Sequence, residues 1–334
     1  MTDPPVAISV VIPNWNGRRW LPACLASLAA QTLAPEEVIV VDNGSRDGSL
    51  EYLRAEHPQA RLLALAVNTG FAHAANRGLG AARGDLIALV NTDVVLAPDW
   101  LARMAAALTA DPGAAAAAGK MVSLADPAIV YDAGDVLRRD GACEQRGRFE
   151  ADDGSFDRPG EVFGACAGAA LYRRDVVVAA GGFDERYFAY LEDVDLALRL
   201  RLAGWRCRYE PAVARHAGGG SAEQLPYGHE YLVARNTLVL VAKAFPARWL
   251  PLVAYRQVAW GWHAWRERRL GTHARGLAAA APMLPGALRE RRALRRRARV
   301  PVHVVVPRRP IRGPRAGGHP SRRAAPRRPP TTTS

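Results

Sequence analysis

The stretch AISVVIPNWNG, residues 7–17, decides how the rest of the chain is read. Ala7–Ile12 is a short, mostly apolar, β-branched run of the kind that forms a buried strand. Pro13 and Gly17 then turn the chain and leave the amides of Asn14 and Asn16 in the turn. Three further runs, Glu37–Val41, Arg61–Ala66 and Asp85–Val90, look like buried parallel strands too. Between them lie Arg18–Ala30, Asp47–His57 and Phe71–Arg83, each long enough for a crossover helix. The βαβαβαβ alternation predicts an α/β fold with a doubly wound, mostly parallel sheet flanked by helices. Sheets of this kind bind ligands beyond the carboxyl ends of their strands, so the residues just after each run are where chemistry belongs.

Polar clusters stand at those places. After the first run comes Pro13-Asn14-Trp15-Asn16-Gly17; after the second, Asp42-Asn43-Gly44-Ser45, a carboxylate that serves equally well in a helix-capping turn. Asn68-Thr69-Gly70-Phe71, continuing to Asn76, opens the third helix, where a helix N-terminus favours an anion such as a diphosphate. Asn91-Thr92-Asp93 follows the fourth run, and a carboxylate there can hold Mg²⁺ or Mn²⁺ bridging diphosphate oxygens. The densest cluster comprises Gly181-Gly182-Phe183-Asp184-Glu185, then Glu192-Asp193 with Asp195, then His216 beyond Pro211. Acids at a helix start complement the macrodipole, and Asp195 can pair with Arg199 one turn on, which gives Asp195 a structural role. The same argument explains Asp193 poorly. Crowded carboxylates raise one another's pKa, which suits a base that deprotonates a hydroxyl. His216 can supply a neutral imidazole ligand or a structural ring.

Elsewhere, Tyr131–Glu161 is polar and aperiodic, the pattern of a loop or irregular hairpin beside the site. Gly164–Arg173 reads as a strand, Glu192–Leu202 as an amphipathic helix and Trp205–Tyr209 as a strand ending before Pro211, together a second half-domain closing over the first. From Gly228 the pattern is helical, with Trp249, Trp260, Trp262 and Trp265 making half of the eight tryptophans. Arg235, Lys243, Arg248, Arg256 and Arg266 interrupt it, so no apolar run reaches the roughly 20 residues of a spanning helix, and a place in a membrane interface is expected. The Pro/Arg/Gly-rich end is expected to be disordered. The organisation is thus 1–225, an α/β domain; 226–305, helical; and 306–334, a tail.

The net charge of +13 belongs to that end: from Arg289 onward fifteen Arg face one acid, Glu290, a balance of +14 that leaves about −1 for residues 1–288. Cys24, Cys143, Cys166 and Cys207 are widely spaced, with neither a disulfide framework nor a zinc pattern, which fits a reducing compartment. The first residues lack the pattern of a secretory signal.

Taken in order, SVVIPNWNG, VVDNGSRDGS, NTGFAHAANRG, LVNTDV, GGFDERYFAYLEDVDLALR and His216 resemble glycosyltransferase family 2, over about residues 7–220. The resemblance implies a GT-A fold, here with a C-terminal helical, membrane-associating extension. It is strongest to bacterial rhamnosyltransferase-like enzymes of cell-surface polysaccharides, whose metal motif often reads Asn-x-Asp. It also implies an inverting transfer from a nucleotide-sugar donor with a divalent metal, Mg²⁺ or Mn²⁺. Under it Asp42 contacts the nucleotide base with Pro13, Asn14, Asn16 and Asn43. Gly70, Asn76, Asn91 and Thr92 complete the nucleotide pocket, Asp93 and His216 hold the metal, and Asp193 is the general base. Gly182, Phe183, Asp184 and Glu192 form the acceptor or sugar pocket. The expected donor is dTDP-rhamnose, with UDP-galactofuranose, UDP-glucose and GDP-sugars as alternatives, and the acceptor a lipid-linked or polysaccharide hydroxyl in cell-envelope glycan synthesis. The expected place is the cytoplasm, peripheral on the inner face of the cell membrane, with an anionic lipid surface as partner and no nucleic acid.

Two rival functions fit less well. A sugar-1-phosphate nucleotidyltransferase begins with a Gly-rich basic loop, which Ile12-Pro13-Asn14-Trp15-Asn16 is not. A nucleic-acid binder rests on the Arg-rich tail alone, since the remainder is near neutral and carries no recognition module. The enzyme reading requires Asp42, Asp93, Asp193 and His216 to meet at one cleft.

Overall fold

The structure, a computed structural model, describes residues 6–218 and 227–309. Strands β1 (Ile8–Asn14), β2 (Glu37–Asn43), β3 (Arg61–Leu65) and β4 (Leu86–Val90) alternate with helices α1 (Leu21–Ala29), α2 (Ser49–Glu56) and α3 (Phe71–Ala81). The four strands are parallel in the order β3-β2-β1-β4. The chain therefore winds outward from β1 to β3 and then returns to the other side of β1. A crevice opens at the carboxyl ends of strands where the order reverses.

Next come β5 (Val94–Leu96), α4 (Trp100–Thr109), β6 (Ala114–Ser123), β7 (Val130–Asp132), β8 (Asp135–Leu137), β9 (Cys143–Gln145) and β10 (Gly160–Val162). They are followed by β11 (Ala169–Arg173), α5 (Arg174–Ala179), α6 (Glu192–Leu202) and β12 (Arg206–His216). The expectation of a second half closing over the first is corrected here. Strand β11 pairs antiparallel with both β4 and β6, and β6 runs parallel to β12, so the later strands extend one sheet in the order β4-β11-β6-β12-β10.

Alternate residues along β1 build the two faces of that sheet. Val10 and Ile12 pack with Leu21 and Leu25 of α1 and Trp100 and Met104 of α4, while Val11 faces Ala75 and Leu79 of α3. Strand β3, expected to be buried, is half-exposed because it forms the sheet edge. Helix α1 starts three residues later than the pattern implies: Trp20 N and Leu21 N both donate to Gly17 O, forming a turn that precedes it. Strand β12 does not stop before Pro211. A bulge between Tyr209 and Val213 absorbs the proline, and the strand continues to His216. The Tyr131–Glu161 segment contains the β8–β9 hairpin.

Helices α7 (His229–Ala244), α8 (Leu250–Arg266), α9 (Leu270–Ala280), α10 (Leu284–Arg297) and α11 (Val302–Val305) complete the described chain. They share a core with the sheet domain: Val194, Leu198 and Leu202 of α6 pack with Leu240, Phe245, Trp249 and Val305. Lys243, fully buried on α7, donates to Asp195 Oδ1 at 2.7 Å and to Asp184. Val306 is also buried, with its carbonyl accepting from Arg139 Nε at 3.0 Å, so order extends past the expected start of the tail. The expected boundary at 225/226 and the tail from 310 lie outside the described residues. Among the described residues no helix is long and apolar enough to cross a membrane.

Candidate active site

Strands β1 and β2 end side by side, with Asn14 paired to Asp42 in register. Asn14 Nδ2 donates to Asp42 Oδ2 at 2.8 Å, and Ser45 N donates to Asp42 Oδ1 at 3.0 Å, fixing a buried carboxylate at the crevice. Asn14 Oδ1 is buried without a partner among the described residues. A Cβ on Gly17 would fall 2.3 Å from that oxygen and 2.9 Å from Thr92 Oγ1, so only glycine lets the β1 and β4 turns pack together. Asn16 takes a left-handed backbone (φ 50°), its N donating to Ser45 Oγ and its Oδ1 accepting from Arg46 N. Pro13 lies within β1 itself.

The amides of Asn43 and Asn76 are engaged by the protein. Asn43 Nδ2 donates to Asn68 Oδ1 and Gly70 O, and its Oδ1 accepts from Thr69 N and Oγ1. Asn76 Nδ2 donates to Phe183 O and Glu185 Oε1, while its Oδ1 accepts from Phe183 N. Both side chains staple turns around the crevice. Gly70, at φ 92°, lies so close to Phe188 that a Cβ would come within 2.6 Å of its carbonyl oxygen. Gly182 similarly abuts Asn76, and Phe183 is buried edge-on against Tyr172. Asp184 is engaged by Arg186 and Lys243; burial alone would raise its pKa, but these cations hold it well below the ordinary range.

Beyond β4, Asn91 N donates to Gly168 O at 2.9 Å and Ala217 N to Asp93 O at 3.0 Å. Pairing of β5 with β12 sets Val94 opposite His216. Asp93 Oδ1 and His216 Nε2 consequently stand 3.2 Å apart, both buried, with the Tyr131 ring edge-on to the imidazole at 4.4 Å between centroids. Two cis ligands about 2.1 Å from one octahedral cation are about 3.0 Å apart, so this pair fits adjacent positions on Mg²⁺ or Mn²⁺. Among the described residues no cluster of three His, Cys, Asp or Glu side chains is placed to hold an ion. Diphosphate oxygens and water would complete the shell, as is usual for magnesium.

Asp193 enters from the first turn of α6. Its Oδ2 accepts from Ala167 N at 3.0 Å and its Oδ1 from Val194 N at 2.8 Å. Ala167 precedes Gly168, which holds Asn91, so one short loop joins the Asp193 carboxylate to the Asn91–Asp93 turn. Burial raises the Asp193 pKa against the backbone hydrogen bonds that lower it.

Three more acids surround it. Asp132, Asp135 and Glu192 are buried, and each has one oxygen without a partner among the described residues. Burial, then the charge of Asp193, pushes Asp132 up to about 7; burial and the neighbouring acids hold Asp135 and Glu192 well above their ordinary values. The sequence reading missed Tyr131, Asp132 and Asp135, whose trace is the spacing Tyr131-Asp132-Ala133-Gly134-Asp135 inside a segment that resembles solvated loop.

The approach to α6 is held by another residue that sequence reasoning missed. Phe188, Tyr190 and Leu191 all have left-handed backbones, which non-glycine residues adopt only when the surroundings enforce it. Asn236, buried on α7, provides that enforcement, with its Nδ2 at 3.0, 2.9 and 2.7 Å from the carbonyls of Tyr187, Ala189 and Tyr190. Only the folding of α7 onto this loop reveals the role.

The chain is 31% identical over 275 residues to a Mycobacterium tuberculosis N-acetylglucosaminyl-diphospho-decaprenol L-rhamnosyltransferase, covering 75% of this chain and 87% of that protein. Its fold is similar to that of GalNAc-T7 solved with UDP, GalNAc and Mn²⁺, at TM-score 0.58 and 14% identity over 72% of this chain and 48% of that one. It is also similar to a Pyrobaculum calidifontis mannosyltransferase solved with GDP-Man and Mn²⁺, at TM-score 0.51 and 21% identity over 88% and 86%. These likenesses support the GT-A architecture. The family model described as glycosyl transferase family 2 matches residues 9–179, half of the chain, and with the relative above it shows that this protein is a glycosyltransferase belonging to that family.

Proposed function

We propose that the enzyme transfers L-rhamnose from dTDP-rhamnose, with inversion, to a hydroxyl of a lipid-linked or polysaccharide acceptor at the inner face of the cell membrane. The observation that carries this reading is the Asp93–His216 pair, 3.2 Å apart and joined through the Ala167–Gly168 loop to Asp193. The sugar and acceptor class draw support from the name of the mycobacterial relative.

In the proposed reaction Asp42, with Asn14 and Asn16 beside it, receives the base of the donor. Asp93 and His216 would hold a divalent cation, which when bound would offset negative charge on the departing nucleoside diphosphate. Asp193 takes the proton of the acceptor hydroxyl as its oxygen bonds to the anomeric carbon and the bond to the diphosphate breaks. Its raised pKa makes the carboxylate a stronger base than an ordinary aspartate. Asp132, Asp135 and Glu192 limit how much negative charge the pocket carries by retaining protons.

The test offers the purified enzyme dTDP-rhamnose and an N-acetylglucosaminyl-diphospho-lipid with Mn²⁺ and follows the product by mass spectrometry. A rhamnosylated product supports the reading. Transfer solely from UDP-galactofuranose, UDP-glucose or a GDP-sugar overturns the choice of donor, and a product with retained anomeric configuration overturns the single displacement.

A further inference from the structure

Helix α8 carries two apolar faces, and among the described residues only one is packed. Its inner face is anchored by buried Val253 and Ala264 and by Arg256, whose guanidinium meets Asp140 at 2.6 and 2.9 Å. On the opposite side Tyr255, Val258, Trp262 and Trp265 are 60%, 72%, 61% and 55% exposed. With exposed Pro251 they recur at intervals of four, three, four and three residues, a spacing that aligns them in one stripe along the helix. Arg248 just before the helix and Arg266 and Arg268 at its far end are exposed and bracket the stripe. The nearby acid, Glu267, faces His263 at 3.2 Å.

A stripe with this spacing also suits pairing of two helices, but the charges argue against a second copy. A parallel pair would set Arg248 beside Arg248, and an antiparallel pair would set Arg248 beside Arg266; both place like charges together. An anionic headgroup layer suits the same pattern, with arginines meeting phosphates and aromatic rings seated at the acyl boundary. From Pro251 to Trp265 the stripe runs about 21 Å at 1.5 Å per residue, too short to cross a hydrocarbon core of about 30 Å. It suits a helix lying flat.

We infer that α8 is the membrane-docking element, inserting Tyr255, Val258, Trp262 and Trp265 into the headgroup region of an anionic bilayer. This rests on the membrane location in the proposed function and names the surface responsible. The docking face is separate from the catalytic side chains, so the two readings are testable apart.

The experiment is flotation of the full chain with phosphatidylcholine vesicles, with and without 30 mol% phosphatidylglycerol, alongside Tyr255→Ser/Trp262→Ser/Trp265→Ser. Wild type is expected to float with the anionic vesicles, and the triple variant to lose binding at least tenfold with its circular dichroism and oligomeric state unchanged. Brominated lipids should quench wild-type tryptophan fluorescence, reporting shallow insertion. Equal flotation of both proteins, or absence of wild-type flotation, overturns the inference. So does a wild-type dimer that the triple substitution dissolves without any vesicle binding. Transfer to a short-chain, water-soluble acceptor, measured in parallel, should be the same in both proteins; its absence from wild type would strike the proposed chemistry instead.

Discussion

Asp193→Asn removes the proposed base with almost no change in shape, and the structure sets what else it disturbs. The carboxylate accepts two backbone N–H groups, from Ala167 at 3.0 Å and Val194 at 2.8 Å, whereas an amide has one acceptor oxygen. One hydrogen bond to a charged acceptor, worth about 1.5–3 kcal/mol, is lost. Opposing it, the substitution removes a buried negative charge that Asp132, Asp135 and Glu192 all feel. The two effects are similar in size, so stability should change by no more than about 2 kcal/mol, a shift of about 3 °C in melting temperature for a protein of this length. The chemical step should suffer far more, since a positioned general base contributes about 10²–10⁴ in rate, or about 3–5 kcal/mol of barrier. The assay measures nucleoside diphosphate release under saturating donor and acceptor, with donor affinity by calorimetry and melting by fluorescence. The acidic limb of the wild-type kcat profile should lie above the ordinary aspartate range and should vanish in the variant. Turnover within threefold of wild type, with folding and donor affinity intact, would refute the assignment of Asp193.

Further consequences are open to direct measurement. His216→Ala should keep the fold while weakening Mn²⁺-dependent donor binding at least tenfold, with little change in binding measured in EDTA; calorimetry with and without metal checks this. Asp132 has its carboxyl pKa raised from 3.8 to about 7, so its contribution to stability is fully present below about pH 4 and lost as pH rises through 7. Asp132→Asn keeps an oxygen for Gly134 N and removes this charge, so between pH 5 and pH 8 its stability, read from thermal melting, should fall less than that of wild type, by up to about 3 kcal/mol. Asn236→Ala leaves the carbonyls of Tyr187, Ala189 and Tyr190 without their amide donor; urea unfolding should show a loss of about 2–4 kcal/mol, and turnover should fall because the Asp193 helix loses its fixed approach.

What local pattern determined is the α/β frame. Apolar runs such as Ala7–Ile12 and Asp85–Val90, with helices between them, carry their own period, and β1, β2 and β4 formed close to the expected bounds. The crevice at their carboxyl ends follows from that order, and the sequence singles out Asp42 and Asp93 as candidates because Asp42 stands at the end of the buried strand β2 and Asp93 three residues beyond β4. Strand β6 was not legible: its run of alanines has weak strand propensity and is held by pairing between β11 and β12. The meeting of Asp93 with His216 depends on β12 passing Pro211 through a bulge, and the acid pocket depends on β7 and β8 turning Asp132 and Asp135 inward. Neither feature has a local period. Burial and charge coupling are properties of neighbours in space, so only tertiary structure could decide which of many acids share a pocket, that Asn236 holds the turn before Asp193, and which face of α8 is left uncovered.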